Sequence, residues 1–306
     1  MGRYILKRLV HGIIVILGVT IIVFVVTRMI GDPVKVMLPL EATLEQRAAF
    51  ERQLGLDRPI PVQFIEFIFE IARLDFGNSL WQHRPAMEIV FERMPLTIKL
   101  TFVGIGLAFL LSIPMGIVAA LRPGGMTDRG TVFISLIGLS IPQFWLGLLL
   151  IVVFAVKLHW LPTSGAATPP HIILPAITMA LPALARMVMM VRSSMIDELN
   201  AQYVKTGYAK GIPFFRVVAI HAMRNAALPV VTLCGWEVIR ALAGYSVVVE
   251  TVFAWPGLGL TAIQAIERED LILLQAIVFT VAITVVLINI LMDVIYTIID
   301  PRLKLA

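Results

Sequence analysis

The chain has 306 residues, of which 59% are hydrophobic and only 15% charged, against about 25% charged in an ordinary soluble domain. With a mean hydropathy of +0.92 it carries more apolar surface than a water-soluble fold of this size can hide, so lipid is the solvent for much of it. The single cysteine, Cys234, excludes an internal disulfide, no Cys/His cluster has metal-ligand spacing, and the net charge of +5 resolves into short basic segments between apolar runs rather than a nucleic-acid surface.

A helix needs about 20 apolar residues to cross the hydrocarbon core. Read between charges, the runs are 9–27, 100–121, 130–156, about 172–191, 229–252 and 271–292. The fifth is the weakest, because it contains Glu237, Arg240 and Glu250. These runs predict an all-α membrane protein with six transmembrane helices. Arg3, Lys7 and Arg8 before an apolar run would suit a cleaved signal. The run continues for 19 residues to Arg28 without a small-x-small cleavage pattern, so an uncleaved first span is expected. With the N-terminus inside, the cytoplasmic segments 1–8, 122–130, 192–228 and 300–306 hold 12 Lys/Arg against 4 acids, and the two short outer loops hold only Lys157 and Arg268. That bias predicts an N-in/C-in topology. The organisation expected is a tail and first span (1–30), an extracytoplasmic helical segment (31–95), and a five-helix core (96–306) with a cytoplasmic loop at 192–228.

Segment 31–95 is patterned. Thr43-Leu44-Glu45-Gln46 fits a capping box with Thr43 as N-cap, and Gly55 supplies a stop. A second helix is expected from Pro61, with Phe64, Phe67, Ile68 and Ile71 on one face and an end at Asp75-Phe76-Gly77. A third is expected near Pro85, with Met87, Val90, Phe91 and Met94 as its stripe. Such a segment serves as a cap over the outer helix ends, as a docking surface for an external partner, or as both.

The cytoplasmic segment 192–228 reads as helix, break, helix, then membrane. Residues 201–210 can be helical, Gly211 breaks the run, Pro213 suits a first helical turn, and Pro229 suits the start of span five. Pattern alone leaves two readings. One is an interfacial loop held to anionic lipid by Lys205, Lys210, Arg216 and Arg224; the other is a compact knob that a partner grips.

Glu237 and Arg240 fall near the middle of span five, on one face at i,i+3, where each could neutralise the other. They form either a structural ion pair or part of a substrate path. For Arg186 and Asp293, snorkelling or a pair between spans is expected rather than ligand binding. No catalytic constellation accompanies them. There is no Gly-Lys pair and hence no P-loop, no Gly-x-Ser-x-Gly, no His-Glu-x-x-His, and the five histidines stand apart in the sequence. A multi-span chain of this kind is a conduit or a scaffold, not an enzyme.

Several landmarks occur in order: Gly31-Asp32-Pro33, Leu54-Gly55-Leu56-Asp57-Arg58-Pro59, Asp75-Phe76-Gly77-Asn78-Ser79, Ser140-Ile141-Pro142 and Trp160-Leu161-Pro162. They continue with Lys205-Thr206-Gly207-Tyr208-Ala209-Lys210-Gly211, His221-Ala222-Met223-Arg224-Asn225-Ala226-Ala227-Leu228-Pro229, Glu250 through Gly259, and Asp300-Pro301-Arg302. Together they resemble the permease subunits of ABC importers for dipeptides, oligopeptides, nickel or glutathione. The resemblance implies a type I ABC importer transmembrane fold and a second homologous permease. It also implies two ATPase subunits that hold the ATP and magnesium, and a periplasmic binding protein. No cofactor or metal is expected on this chain itself. In the family a short coupling helix inserts into the ATPase, which here assigns that role to Tyr203, Lys205, Thr206, Ala209, Lys210, Gly211, Ile212 and Pro213. Gly207 and Tyr208 depart from the usual Ala and Arg, and the Glu237/Arg240 pair is not a family feature. An ion-coupled secondary transporter is the competing reading. It would need central carboxylates and commonly shows inverted repeats; here Glu237 is the one central acid and no repeat is visible.

Overall fold

Helix is the only regular element among the residues that the computed structural model describes, namely 2–30, 43, 45–46, 49, 52 and 57–299. Ala86–Leu121, Pro169–Leu199, Phe214–Val252 and Leu271–Tyr296 are each long and apolar enough to cross a membrane, and Met126–Ser140 with Gln143–Lys157 adds a fifth if that bent pair is one span. The chain is therefore an all-α, multi-pass membrane protein. The landmarks Gly31-Asp32-Pro33, Leu54-Gly55-Leu56 and Asp300-Pro301-Arg302, with the expected stop at Gly55, lie outside the described residues.

Helix α1 (Gly2–Ile30) covers the run expected as the first span, but its apolar stretch, Val10–Val26, is shorter than the four long ones. The capping box beyond it is present: the Thr43 N–H donates to Gln46 Oε1 at 2.9 Å, and the Gln46 N–H to Thr43 Oγ1 at 3.3 Å. Helix α2 (Ile60–Ala72) starts with Pro61 in its first turn, where a missing N–H is harmless. Its inward face is the expected one, with Ile71 buried and Phe64, Phe67 and Ile68 half-buried. Phe24 of α1 packs on Phe64 and Phe67 with centroids 5.2 and 5.5 Å apart.

Five expectations need correction. The third outer helix and the second span are one 36-residue helix, α3 (Ala86–Leu121). Glu92, Arg93, Pro95 and Lys99 end the apolar run but not the backbone hydrogen bonding. On that helix Ala86, Ile89 and Val90 are buried while Phe91 is exposed. The third expected span is two helices, α4 (Met126–Ser140) and α5 (Gln143–Leu150, continued as a π-helical turn to Lys157), bent by 100°. Pro142 lacks a donor and pushes Ile141 out of the helical region, to φ −79°, ψ 123°. After α6 (Ile173–Leu199) and α7 (Gln202–Ala209), helix α8 runs from Phe214 to Val252 with Pro229 inside it. Pro229 therefore does not start span five, and Pro213 caps α8 rather than lying in its first turn. Helices α9 (Leu258–Glu267) and α10 (Leu271–Ile299) complete the chain.

The chain forms two compact units, residues 1–95 with 257–287, and residues 96–256 with 288–306. In the first, Ala86, Ile89 and Val90 pack with Leu258, Ala265, Leu273, Ala276 and Ile277. Asp270, fully buried, ties the loop before α3 to α10. Its carboxylate accepts the Ser79 hydroxyl, the Trp81 N–H at 3.1 Å and the Leu273 N–H at 3.0 Å. This accounts for the Asp75–Ser79 landmark, in which Gly77 takes a left-handed φ of 85° and Ser79 supplies the cross-link.

In the second unit α6 is central, packing on α4, α5 and α8. Leu100, Ile105, Met179, Met187, Phe253 and Trp255 are part of its core. Small residues let backbones approach, as in other lipid-embedded bundles. A Cβ placed on Gly116 of α3 would lie 2.5 Å from Val191 Cβ and 3.0 Å from the Val188 carbonyl oxygen. Gly116→Ala is therefore expected to cost about 1–3 kcal/mol through overpacking. Gly106→Ala on the same helix, where a Cβ meets nothing within 4 Å, is expected to be silent. The yield of monodisperse protein after detergent extraction checks both, and equal yields would contradict the close approach.

Candidate functional site

The connection between α7 and α8 is built on a glycine stop. Helix α7 closes with the Gly211 N–H donating to the Tyr208 carbonyl at 2.9 Å and the Ile212 N–H to the Gly207 carbonyl at 3.1 Å. Gly211 sits at φ 74°. That is a Schellman cap, which requires a residue tolerant of positive φ at this position. Pro213 follows at φ −59°, ψ 141°, and α8 begins. Gly211 and Pro213 thus turn the chain between the two helices.

The turn is held from both sides. Val204 of α7 is buried, and Tyr208 stacks on Phe214 with centroids 6.5 Å apart and planes at 13°. Glu198, near the end of α6, accepts the Tyr203 hydroxyl at 2.5 Å and Asn225 Nδ2 of α8 at 3.3 Å. Burial first, and then the Glu198 contact, pushes the Tyr203 hydroxyl above its ordinary range, so it stays protonated and keeps donating. Ala222 and Ala226 are buried with Val191 and Met195, which explains two of the three alanines of the 221–229 landmark. Sequence reasoning missed Glu198.

Of the eight residues expected to couple, Tyr203, Lys205, Thr206, Ala209, Lys210, Gly211 and Pro213 are exposed and Ile212 is half-buried. Tyr203, Thr206, Lys210 and Ile212 come together around a groove of about 310 Å³, with Val204, Gly207, Val217 and His221 completing its wall. Beside it Tyr208, Phe214 and Phe215 are exposed aromatic side chains. A second cross-link braces this unit: Asp128, at the start of α4, accepts the Gly124 N–H at 2.7 Å and a forked pair of bonds from Arg192 of α6. It too was absent from the sequence reading.

The charges inside span five are arranged differently from the local i,i+3 expectation. Glu237 is 0% exposed, and its main partner is Arg186 of α6. Arg186 donates from Nε to Oε1 and from NH2 to Oε2, both at 2.7 Å, a bidentate fork. Arg186 also lies over the Tyr245 ring at 5.9 Å. Arg240 reaches Oε1 only at 3.4 Å. Arg186 is thus the pair between spans that was one of the two expectations for it. Asp293 is buried in α10. Farther out on α8, buried Glu250 accepts the Thr97 hydroxyl at 2.7 Å. The Trp255 indole donates to the Leu96 carbonyl at 3.1 Å, so Glu250 and Trp255 of that landmark anchor α3 about a third of the way along it.

Comparison with known proteins follows this geometry. Residues 112–305 match the family described as binding-protein-dependent transport system inner membrane component, and residues 1–101 match its N-terminal family. The chain is 38% identical over 316 residues to the oligopeptide transport system permease protein AppB of Bacillus subtilis, covering 99% of this chain and 100% of that protein. It is 38% identical over 305 residues to the glutathione transport system permease protein GsiC of Salmonella typhimurium, covering 99% of each. An inward-facing structure of the MetNI methionine ABC transporter shares the fold, with a TM-score of 0.58 at 22% identity over 70% of this chain and 97% of that one.

Proposed function

The chain belongs to the binding-protein-dependent transport system inner membrane components, as the permease of an ABC importer, and from that premise we propose that its cargo is a peptide or a related small solute such as glutathione or a chelated metal. The reading is supported by the relatives that carry oligopeptide and glutathione permease names at 38% identity. The proposed setting is a bacterial inner membrane with six spans, N-in/C-in. The partners are a second homologous permease, two ATPase subunits and a periplasmic binding protein. ATP and magnesium belong to the ATPases, and this chain performs no chemistry.

The observation that carries the mechanism is the capped turn at Gly211. In this reading Tyr203, Lys205, Thr206 and the 209–213 turn seat in the ATPase. The groove and the exposed Tyr208–Phe214 stack give a partner apolar surface. Closure of the ATPases on nucleotide moves that seat, and the helices re-orient the path between the two sides, an equilibrium biased by ATP.

The test is co-purification and reconstitution. The complex should bring two ATPase subunits and take up cargo in liposomes only with ATP. Uptake by this chain alone on an ion gradient would overturn the reading in favour of a secondary transporter. The turn makes a sharper demand. An added methyl at Gly207 meets Val217 and Ile212 at 3.7 and 3.8 Å, ordinary contact. Gly207→Ala should therefore keep cargo-stimulated ATP hydrolysis within about twofold of the parent. Loss of stimulation would show that flexibility at 207 is needed.

A further inference from the structure

The cluster on α6 and α8 holds two cations and one anion, and the surplus charge is on one identifiable residue. Both oxygens of Glu237 are taken by the Arg186 fork, and its side chain has no exposed surface. Arg240 is 48% exposed and touches Glu237 through one nitrogen at 3.4 Å, beyond the usual range for such a bond. Its remaining donors are uncommitted in the contacts of this cluster.

The face that carries Arg240 is open. Trp236, one turn earlier, is exposed, and a Cβ on Gly244, one turn later, would meet nothing within 4 Å. Arg240 precedes the end of α8 at Val252 by 12 residues, about 18 Å of helix. At that depth a guanidinium against acyl chains is strongly disfavoured, and such residues mark cavities and solute pathways. The helix also changes to a π-helical turn, Ala241–Tyr245, immediately after it, a local feature that concentrates at functional sites.

We propose that Arg240 receives a carboxylate of the cargo as it passes the membrane centre, while Glu237 holds α8 to α6 through Arg186 and does not touch cargo. A peptide-class cargo always carries a terminal carboxylate, which a guanidinium fork matches in shape and charge. This rests on the permease reading above, and it makes the path selective for anionic groups.

The experiment uses the full complex with its binding protein in liposomes, fed Ala-Ala-Ala or its C-terminal amide with ATP. The quantity read is the ratio of the two uptake rates relative to the parent complex, so the binding protein's own preference cancels. Arg240→Gln should lower the ratio about tenfold, Arg240→Glu should invert the preference, and Arg240→Lys should fall between them. Equal losses for both peptides, an unchanged ratio, or a failure of all three variants to assemble would assign Arg240 a structural role and overturn the proposal. If the parent complex takes up neither peptide with ATP, the permease reading for peptides falls first, a result distinct from any ratio.

Discussion

Glu237→Leu should lower the stability of the detergent-purified protein by about 3 kcal/mol, read as the midpoint of thermal unfolding. The reason is the partner that it strands. Arg186 now spends its planar fork on both carboxylate oxygens at 2.7 Å, and it also lies over the Tyr245 ring. Removing the acid leaves a cation three-quarters buried between two helices. Glu237→Leu with Arg186→Met removes both charges and should be less damaging than Glu237→Leu alone. That non-additivity is the signature of a buried pair. If the double variant is worse than the sum of the singles, the fork is not what holds these helices together.

Asp270→Ala carries the second large effect, in the other unit. The carboxylate satisfies three donors at once, including the first turn of α10, where an acceptor side chain and a negative charge are both favourable. Hydrogen bonds to a charged acceptor are worth about 1.5–3 kcal/mol each and are not additive, so a loss of about 4 kcal/mol is expected. Ser79→Ala removes one of the three and should cost about a third of that. Protease cleavage between residues 73 and 85 reports the loosened loop directly. Asp270→Ala with parental cleavage and an unchanged unfolding midpoint would refute the assignment.

Local chemistry was readable from the chain. The Thr43–Gln46 box, the inward face of α2 and the break at Gly211 each depend on residues within a turn or two of one another. Contacts between helices were not. Glu237 was matched to Arg240 because i,i+3 spacing is visible, whereas Arg186 lies 51 residues away. Asp128 and Arg192 are 64 apart and left no local trace.

The prolines show the same limit. Pro142 and Pro229 each forfeit one backbone bond, yet one bends the chain by 100° and the other lies within a continuous helix. The difference is in the packing. Ala226 and Val230, on either side of Pro229, are buried with Val191 and Met195, whereas Phe144 and Trp145 beside Pro142 are exposed. Charge, likewise, marked where the apolar runs stop but not where the helices do, because hydrogen bonding along α3 and α8 continues past the charged residues.

The length of α8 has a mechanical meaning. From Phe214 at the α7–α8 turn to Arg240 is one rod of about 39 Å, with Pro229 and the π-helical Val217–Ala222 turn as its soft points. A push on the near end is felt at the far end without passing through a loop. In the proposed mechanism the rod's stiffness sets how much of the stroke arrives, so replacing Pro229 would retune leverage without touching either extremity.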